Sequence, residues 1–164
     1  MAYRNCLQVL LPAVLALAFA AVTGPSASAV DAEERRDIQQ KFMGRWEIDE
    51  GYNQGRELTD EEVDGTYTVV TADTITTYDR DQNETYKAKY TINYDTDPIQ
   101  IDMVATMGGR SMTALGILDF EWLDLDGEDE VTLAYSLQPG ERPTEFESPE
   151  GSKIIVLELE QADD

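Results

Sequence analysis

Between residues 85 and 107 every second side chain is apolar or aromatic. Tyr86, Ala88, Tyr90, Ile92 and Tyr94 alternate with Thr85, Lys87, Lys89, Thr91 and Asn93. A period of two marks a strand that buries one face. Asp95-Thr96-Asp97-Pro98 interrupts the pattern, because Pro98 cannot donate to a ladder, and it resumes with Ile99, Ile101, Met103, Ala105 and Met107. Two long strands joined by a tight turn are marginal alone and need more sheet around them.

The rest of the chain supplies it. Residues 66–71 and 74–78 are rich in Thr, Val, Ile and Tyr, with Ala72-Asp73 as the turn between them. Gly108-Gly109 is the next turn, and residues 111–122 alternate again with Met112, Ala114, Gly116, Leu118, Phe120 and Trp122 on one face. Leu115 and Ile117 on the opposite face predict partial cover there. Val131, Leu133, Tyr135 and Leu137 form another strand, residues 139–150 a loop, and residues 153–160 a last strand with Ile155, Leu157 and Leu159 inward.

Ahead of these lies the one good helical segment, residues 31–43. Asp31 caps it, Glu33 and Glu34 sit in its first turn, and Ile38 and Phe42 share a face. Gly44 stops it. A strand follows in which Trp46, Ile48 and Tyr52 alternate with Glu47, Asp49 and Gly51, then a loop over residues 53–56 and a capped helical turn at Thr59-Asp60-Glu61-Glu62. Eight strands with short connections predict an all-β fold, an eight-stranded antiparallel up-and-down β-barrel with a short N-terminal helix.

Residues 1–29 read as a cleaved export signal: Arg4, an apolar run over 9–22, and Ala27-Ser28-Ala29 as the peptidase site. A membrane anchor is disfavoured because the run is short, contains Pro12 and lacks a basic stop. Cys6 precedes the run, so it cannot carry a lipid anchor. The expectation is a periplasmic or extracellular protein whose single domain spans 30–164, off the membrane once the signal is cut. That domain has neither cysteine nor histidine.

The chain holds 34 acidic against 12 basic residues, a net charge of −22, and Arg4 is the only charged residue in the signal, so the remainder carries −23. A polyanion is repelled by nucleic acid and by anionic membrane surfaces, which excludes both as partners. The carboxylates read as a solvated surface rather than a recruiting one.

The same residues carry a resemblance. Gly44-Arg45-Trp46 after a short helix is similar to the G-x-W start of lipocalins. With the Gly116-Ile117 strand and the run Pro139-Gly140-Glu141-Arg142-Pro143-Thr144-Glu145-Phe146, the chain resembles a lipocalin-like domain of unknown function found in planctomycete secreted proteins. The hairpin over 119–130 is longer and more acidic than that pattern. The resemblance implies a barrel and export, with Trp46 plugging the closed end. Arg142 is either the cation beside Trp46 or a pin for its own loop through Glu141 or Glu145.

An eight-stranded barrel either fills with side chains or holds one small ligand. Tyr67, Tyr86, Tyr90, Tyr94, Met103, Met112, Phe120, Trp122 and Tyr135 are the expected lining, suited to a small apolar or aromatic ligand. The alternatives are a packed core with its hydroxyls satisfied at the rim, and an interaction or inhibitor module that docks an exported protein through its rim loops. No cofactor is expected. Asp79-Arg80-Asp81-Gln82-Asn83 starts like a calcium loop, but Glu84 stands where glycine is required. The denser acidic turn over 124–130 reads as solvated, with loose calcium binding as its alternative. Without His or Cys, triads, thiol chemistry and zinc have no ligands, and only a carboxylate-pair hydrolase is left as an enzyme reading. The expectation is therefore a binding protein, not an enzyme.

Overall fold

The computed structural model describes residues 30–107, 109–122 and 129–162. The segment expected to be an export signal, residues 1–29, and most of the acidic 124–130 turn lie outside the described residues.

Helix α1 (Ala32–Phe42) begins where Asp31 Oδ1 accepts from the backbone N–H groups of Glu33 and Glu34, both at 2.9 Å. Acidic residues in the first turn and Lys41 in the last complement the helix dipole. The chain leaves the helix extended at Met43, and Gly44 takes φ +147°. The buried face of α1 is Ile38 and Phe42.

Among the described residues nine strands follow: β1 (Gly44–Asn53), the two-residue β2 (Arg56–Glu57), then, after the single turn α2 (Asp60–Val63), β3 (Tyr67–Val70), β4 (Thr74–Tyr78), β5 (Glu84–Asn93), β6 (Ile99–Met107), β7 (Arg110–Glu121), β8 (Glu130–Ser136) and β9 (Ile154–Gln161). All neighbours are antiparallel in the order β2-β1-β3-β4-β5-β6-β7-β8-β9, and β9 pairs back onto β1. The result is a closed eight-stranded barrel with β2 as an extra strand on its edge. The segment expected as a plain loop over 53–56 is therefore a β1–β2 hairpin.

The two-residue alternation holds through β5 and β6, with Ala88 opposite Ala105, Tyr90 opposite Met103 and Ile92 opposite Ile101, side chains inward. In β1 it does not. The register against β9 jumps from Ile48↔Leu159 to Glu50↔Glu158, leaving Asp49 as the extra residue of a bulge. An extra residue inverts the facing of everything after it. Gly51, not Tyr52, is therefore the buried position beyond the bulge. A Cβ there would stand 2.6 Å from Leu58 Cδ1 and push that side chain aside, while the Leu58 N–H bonds Gly51 O at 2.7 Å.

Tyr52 instead joins a second core on the outer wall. There Ile117, Ala134 and Val156 are buried beneath Tyr52, Phe146 and Ile154. This is the cover expected over Ile117, supplied by Phe146 of the 137–153 loop together with Tyr52 of β1 and Ile154 of β9. The main core fills the barrel, from Trp46 and Phe42 at one end through Ile101, Met103, Leu118 and Val131. Helix α1 closes that end: Arg35 pairs with Asp95 in the β5–β6 turn, and Lys41 lies 4.7 Å above the Trp122 ring just past β7.

Candidate ligand site in the barrel

At the closed end Phe42 is wholly buried, with ring centroids of Trp46, Tyr90 and Phe120 at 6.1, 5.9 and 5.4 Å. Trp46, also wholly buried, donates its indole N–H to Phe42 O at 2.9 Å. That carbonyl is among the last of α1 and lacks a helical partner, so the plug satisfies the helix end it packs beneath. Tyr90 donates its hydroxyl to Thr71 O at 2.7 Å, and burial pushes its phenol up to about 12. This end of the core is filled and its polar atoms are paired.

Toward the open end the interior keeps a small cavity of about 20 Å³, lined by Phe42, Thr68, Val70, Ile75, Thr77, Tyr86, Met103, Leu133, Tyr135, Leu157 and Leu159. A space of this size takes roughly one water molecule. Thr68 and Thr77 satisfy each other across β3 and β4 at 3.1 Å. Tyr86 and Tyr135 do not hydrogen-bond any side chain or backbone group among the described residues. Burial raises both phenols, and Tyr135 is raised further by its neighbour Tyr86. Two hydroxyls on an apolar wall, each with its hydrogen-bonding capacity unspent, are the notable chemistry of the interior.

The nine residues expected to line the interior therefore part company. Tyr86, Met103 and Tyr135 line the cavity, while Tyr90 and Phe120 are packed beneath it around Phe42. Met112 faces the same way but stands at the open rim, 50% exposed. Tyr67 faces outward, because the inward positions of β3 are Thr68 and Val70. Its ring stacks on Tyr78 at 5.1 Å, and the Arg45 guanidinium lies 4.1 Å from its centre. Trp122 has passed the end of β7 and stacks on Phe120 at the closed rim, beneath Lys41. Tyr94 has passed the end of β5 and lines an external groove with Asp95 and Pro98. The threonines and aliphatic residues opposite the tyrosines complete the wall. Their alternation was visible, but small and ordinary side chains carry no mark of a site.

Arg142 takes neither expected role. It reaches from the 137–153 loop into the outer wall, donating to Ile101 O at 3.0 Å, to Gly116 O and to the Asp102 carboxylate. Ile101 and Gly116 face each other across β6 and β7, so one guanidinium staples the loop to that strand pair. At the open rim Leu137 is 48% exposed, as Met112 is at 50%.

On the outer face of β1, β9 and β8, Asp49, Glu130, Glu158 and Glu160 border a shallow groove of about 90 Å³. Partial burial raises the Glu158 carboxyl, and repulsion from Glu50, Asp49 and Glu130 adds to it. Among the described residues no group of three or more such side chains is placed to hold a metal ion.

No family model, no curated protein and no solved structure matches this chain.

Proposed function

We propose that this is an exported, lipocalin-like binding protein that takes a small, slender apolar or aromatic molecule into its barrel. The ligand's one polar atom accepts hydrogen bonds from Tyr86 and Tyr135. The observation that carries this reading is the pair of unpartnered phenols on an otherwise apolar interior wall. Neither hydroxyl is shut off from solvent, and each keeps a free donor that a purely packed wall has no use for. A helix-closed barrel with Trp46 buried at the head of β1 supports the lipocalin-like assignment, and the Ala27-Ser28-Ala29 site supports export. With room for about one water, the interior admits a ligand only if side chains at the open end, Tyr86 and Met112 foremost, swing outward.

A second reading rests on its own observation. The barrel is nearly full and its open rim exposes two large apolar side chains, Met112 and Leu137, which suits a protein partner docking on the rim. Native mass spectrometry of protein purified gently from its source separates the two. A copurifying small mass that denaturation releases, and that the Tyr86→Phe/Tyr135→Phe pair fails to retain, establishes the container. A clean apo mass, with a partner lost on Met112→Lys/Leu137→Lys, establishes the docking module.

A further inference from the structure

A groove of about 350 Å³ opens beside the closed end of the barrel. Its floor includes Ile99 and Phe146, its rim carries Asp95, Asp97 and Asp119, and one wall is Val30, the first described residue. Arg35 fixes that wall. Its Nε donates to Val30 O at 2.8 Å while its Nη2 pairs with the Asp95 carboxylate, so a single guanidinium ties Val30 to the β5–β6 turn.

The charges in the groove do not balance. Asp95 has Arg35, but Asp97 and Asp119 have no cation within ion-pair reach among the described residues, and Asp119 accepts only from the Phe120 N–H. Asp31, next in the chain, is committed to capping α1. Tyr94, also in the groove, is held neutral by burial to higher pH than a free phenol. Three carboxylates face one guanidinium, and Val30 lines the same groove. The sequence places its small-x-small cleavage motif, Ala27-Ser28-Ala29, immediately before Val30.

We propose that the groove is the receptor for the chain's own processed N-terminus: cutting the Ala29–Val30 amide creates an ammonium at Val30 that pairs with Asp97 and Asp119. One water is consumed in the cut, catalysed by an export signal peptidase. Its oxygen goes to the Ala29 carboxylate, and the Val30 nitrogen takes up protons to become the ammonium. An uncut chain has a neutral amide at this place, so the ion pair forms only after export and seats the first turn of α1 on the barrel end. The proposal does not depend on whether the barrel holds a ligand.

The sign of the pH dependence follows. An α-ammonium held by carboxylates has its pKa raised above the ordinary value of about 7.7–8.0. Its contribution to stability is full below that value and is lost as pH rises through the raised one.

The test uses the full-length gene, expressed in a host that exports the product. The isolated protein should begin at Val30, and its α-amine, titrated by an amine-selective reagent, should have a midpoint above about 8. The Asp97→Asn/Asp119→Asn variant should return the midpoint to the ordinary range, while Asp49→Asn, on another face, should leave it raised. N-acetylation of the isolated protein should lower Tm near neutral pH and make no difference above the raised midpoint. A first residue other than Val30, or a wild-type midpoint at or below about 7.7, would overturn the proposal even if the double variant failed to fold.

Discussion

The indole N–H of Trp46 is bonded to the carbonyl oxygen of Phe42, so the first strand holds the end of the helix that closes the barrel. Bulk and bond can be separated. Trp46→Phe keeps most of the packing but orphans a buried carbonyl, and it should cost about 1–3 kcal/mol in denaturant melts. Trp46→Ala also opens a cavity and should cost about 3–5 kcal/mol. A Trp46→Phe loss near zero would mean that the bond contributes nothing, and equal losses in the two variants would mean that the bulk does not.

Tyr135→Phe removes a hydroxyl that has no partner in the protein. Its apo stability should therefore change by less than about 0.5 kcal/mol or rise slightly, while affinity for the copurifying ligand falls. Tyr90→Phe is the contrast, since Tyr90 bonds Thr71 O, and it should cost about 1 kcal/mol. Calorimetry on the two variants decides whether the unspent hydroxyl belongs to the core or to the site.

Alkaline unfolding should follow the buried phenols. Burial raises Tyr86, Tyr90 and Tyr135 in the native state, with Tyr90 at about 12. The unfolded chain, with phenols near 10, gives up its protons first. Their contribution is whole below pH 10 and is lost as pH climbs toward 12. Spectrophotometric titration at 295 nm should show these tyrosines ionising only with unfolding.

Arg142→Ala should release the 137–153 loop from the outer wall. Three hydrogen bonds go, one of them charged on both sides, and the expected loss is about 2–4 kcal/mol, with faster proteolysis inside the loop. Arg142→Lys should recover only part, because an ammonium cannot span two carbonyls and a carboxylate as the planar fork does. Full rescue by lysine would overturn the staple.

On the rim of the barrel, Glu62 Oε2 accepts from the Thr59 N–H while the carboxylate takes two bonds from Arg56, which holds its carboxyl near 2. With the native value depressed, the stabilisation is present above about 4.5 and fades as pH falls toward 2. Glu62→Gln should lower Tm at pH 7 and leave it nearly unchanged at pH 2.

Where periodicity ran unbroken, the sequence was informative. The facing of β5 and β6, the helix cap at Asp31, the barrel class and the buried patch around Ile117 were all legible in it. The failures share a cause, since each depends on where a strand ends or changes phase. The bulge at Asp49 sends Tyr52 outward, and no residue there announces it. In β3, Tyr67-Thr68-Val69-Val70 reads equally well in either phase, and the barrel chose Thr68 because Thr77 waits opposite. Tyr94 and Trp122 lie one step past their strands, where alternation no longer dictates facing. The destination of Arg142 is a tertiary fact with no local trace. The size of the cavity depends on packing across the whole interior, which a one-dimensional pattern does not encode.

The barrel is closed by pairing its first long strand with its last, Trp46 opposite Gln161, residues 115 positions apart. The seam cannot form until nearly the whole chain is available, and contacts of such separation are slow to find. A nascent chain of this design has one of its longest strand pairings still unmade while synthesis continues. Until β9 is made, the sheet therefore keeps two open edges, and closure is the last event the chain can complete.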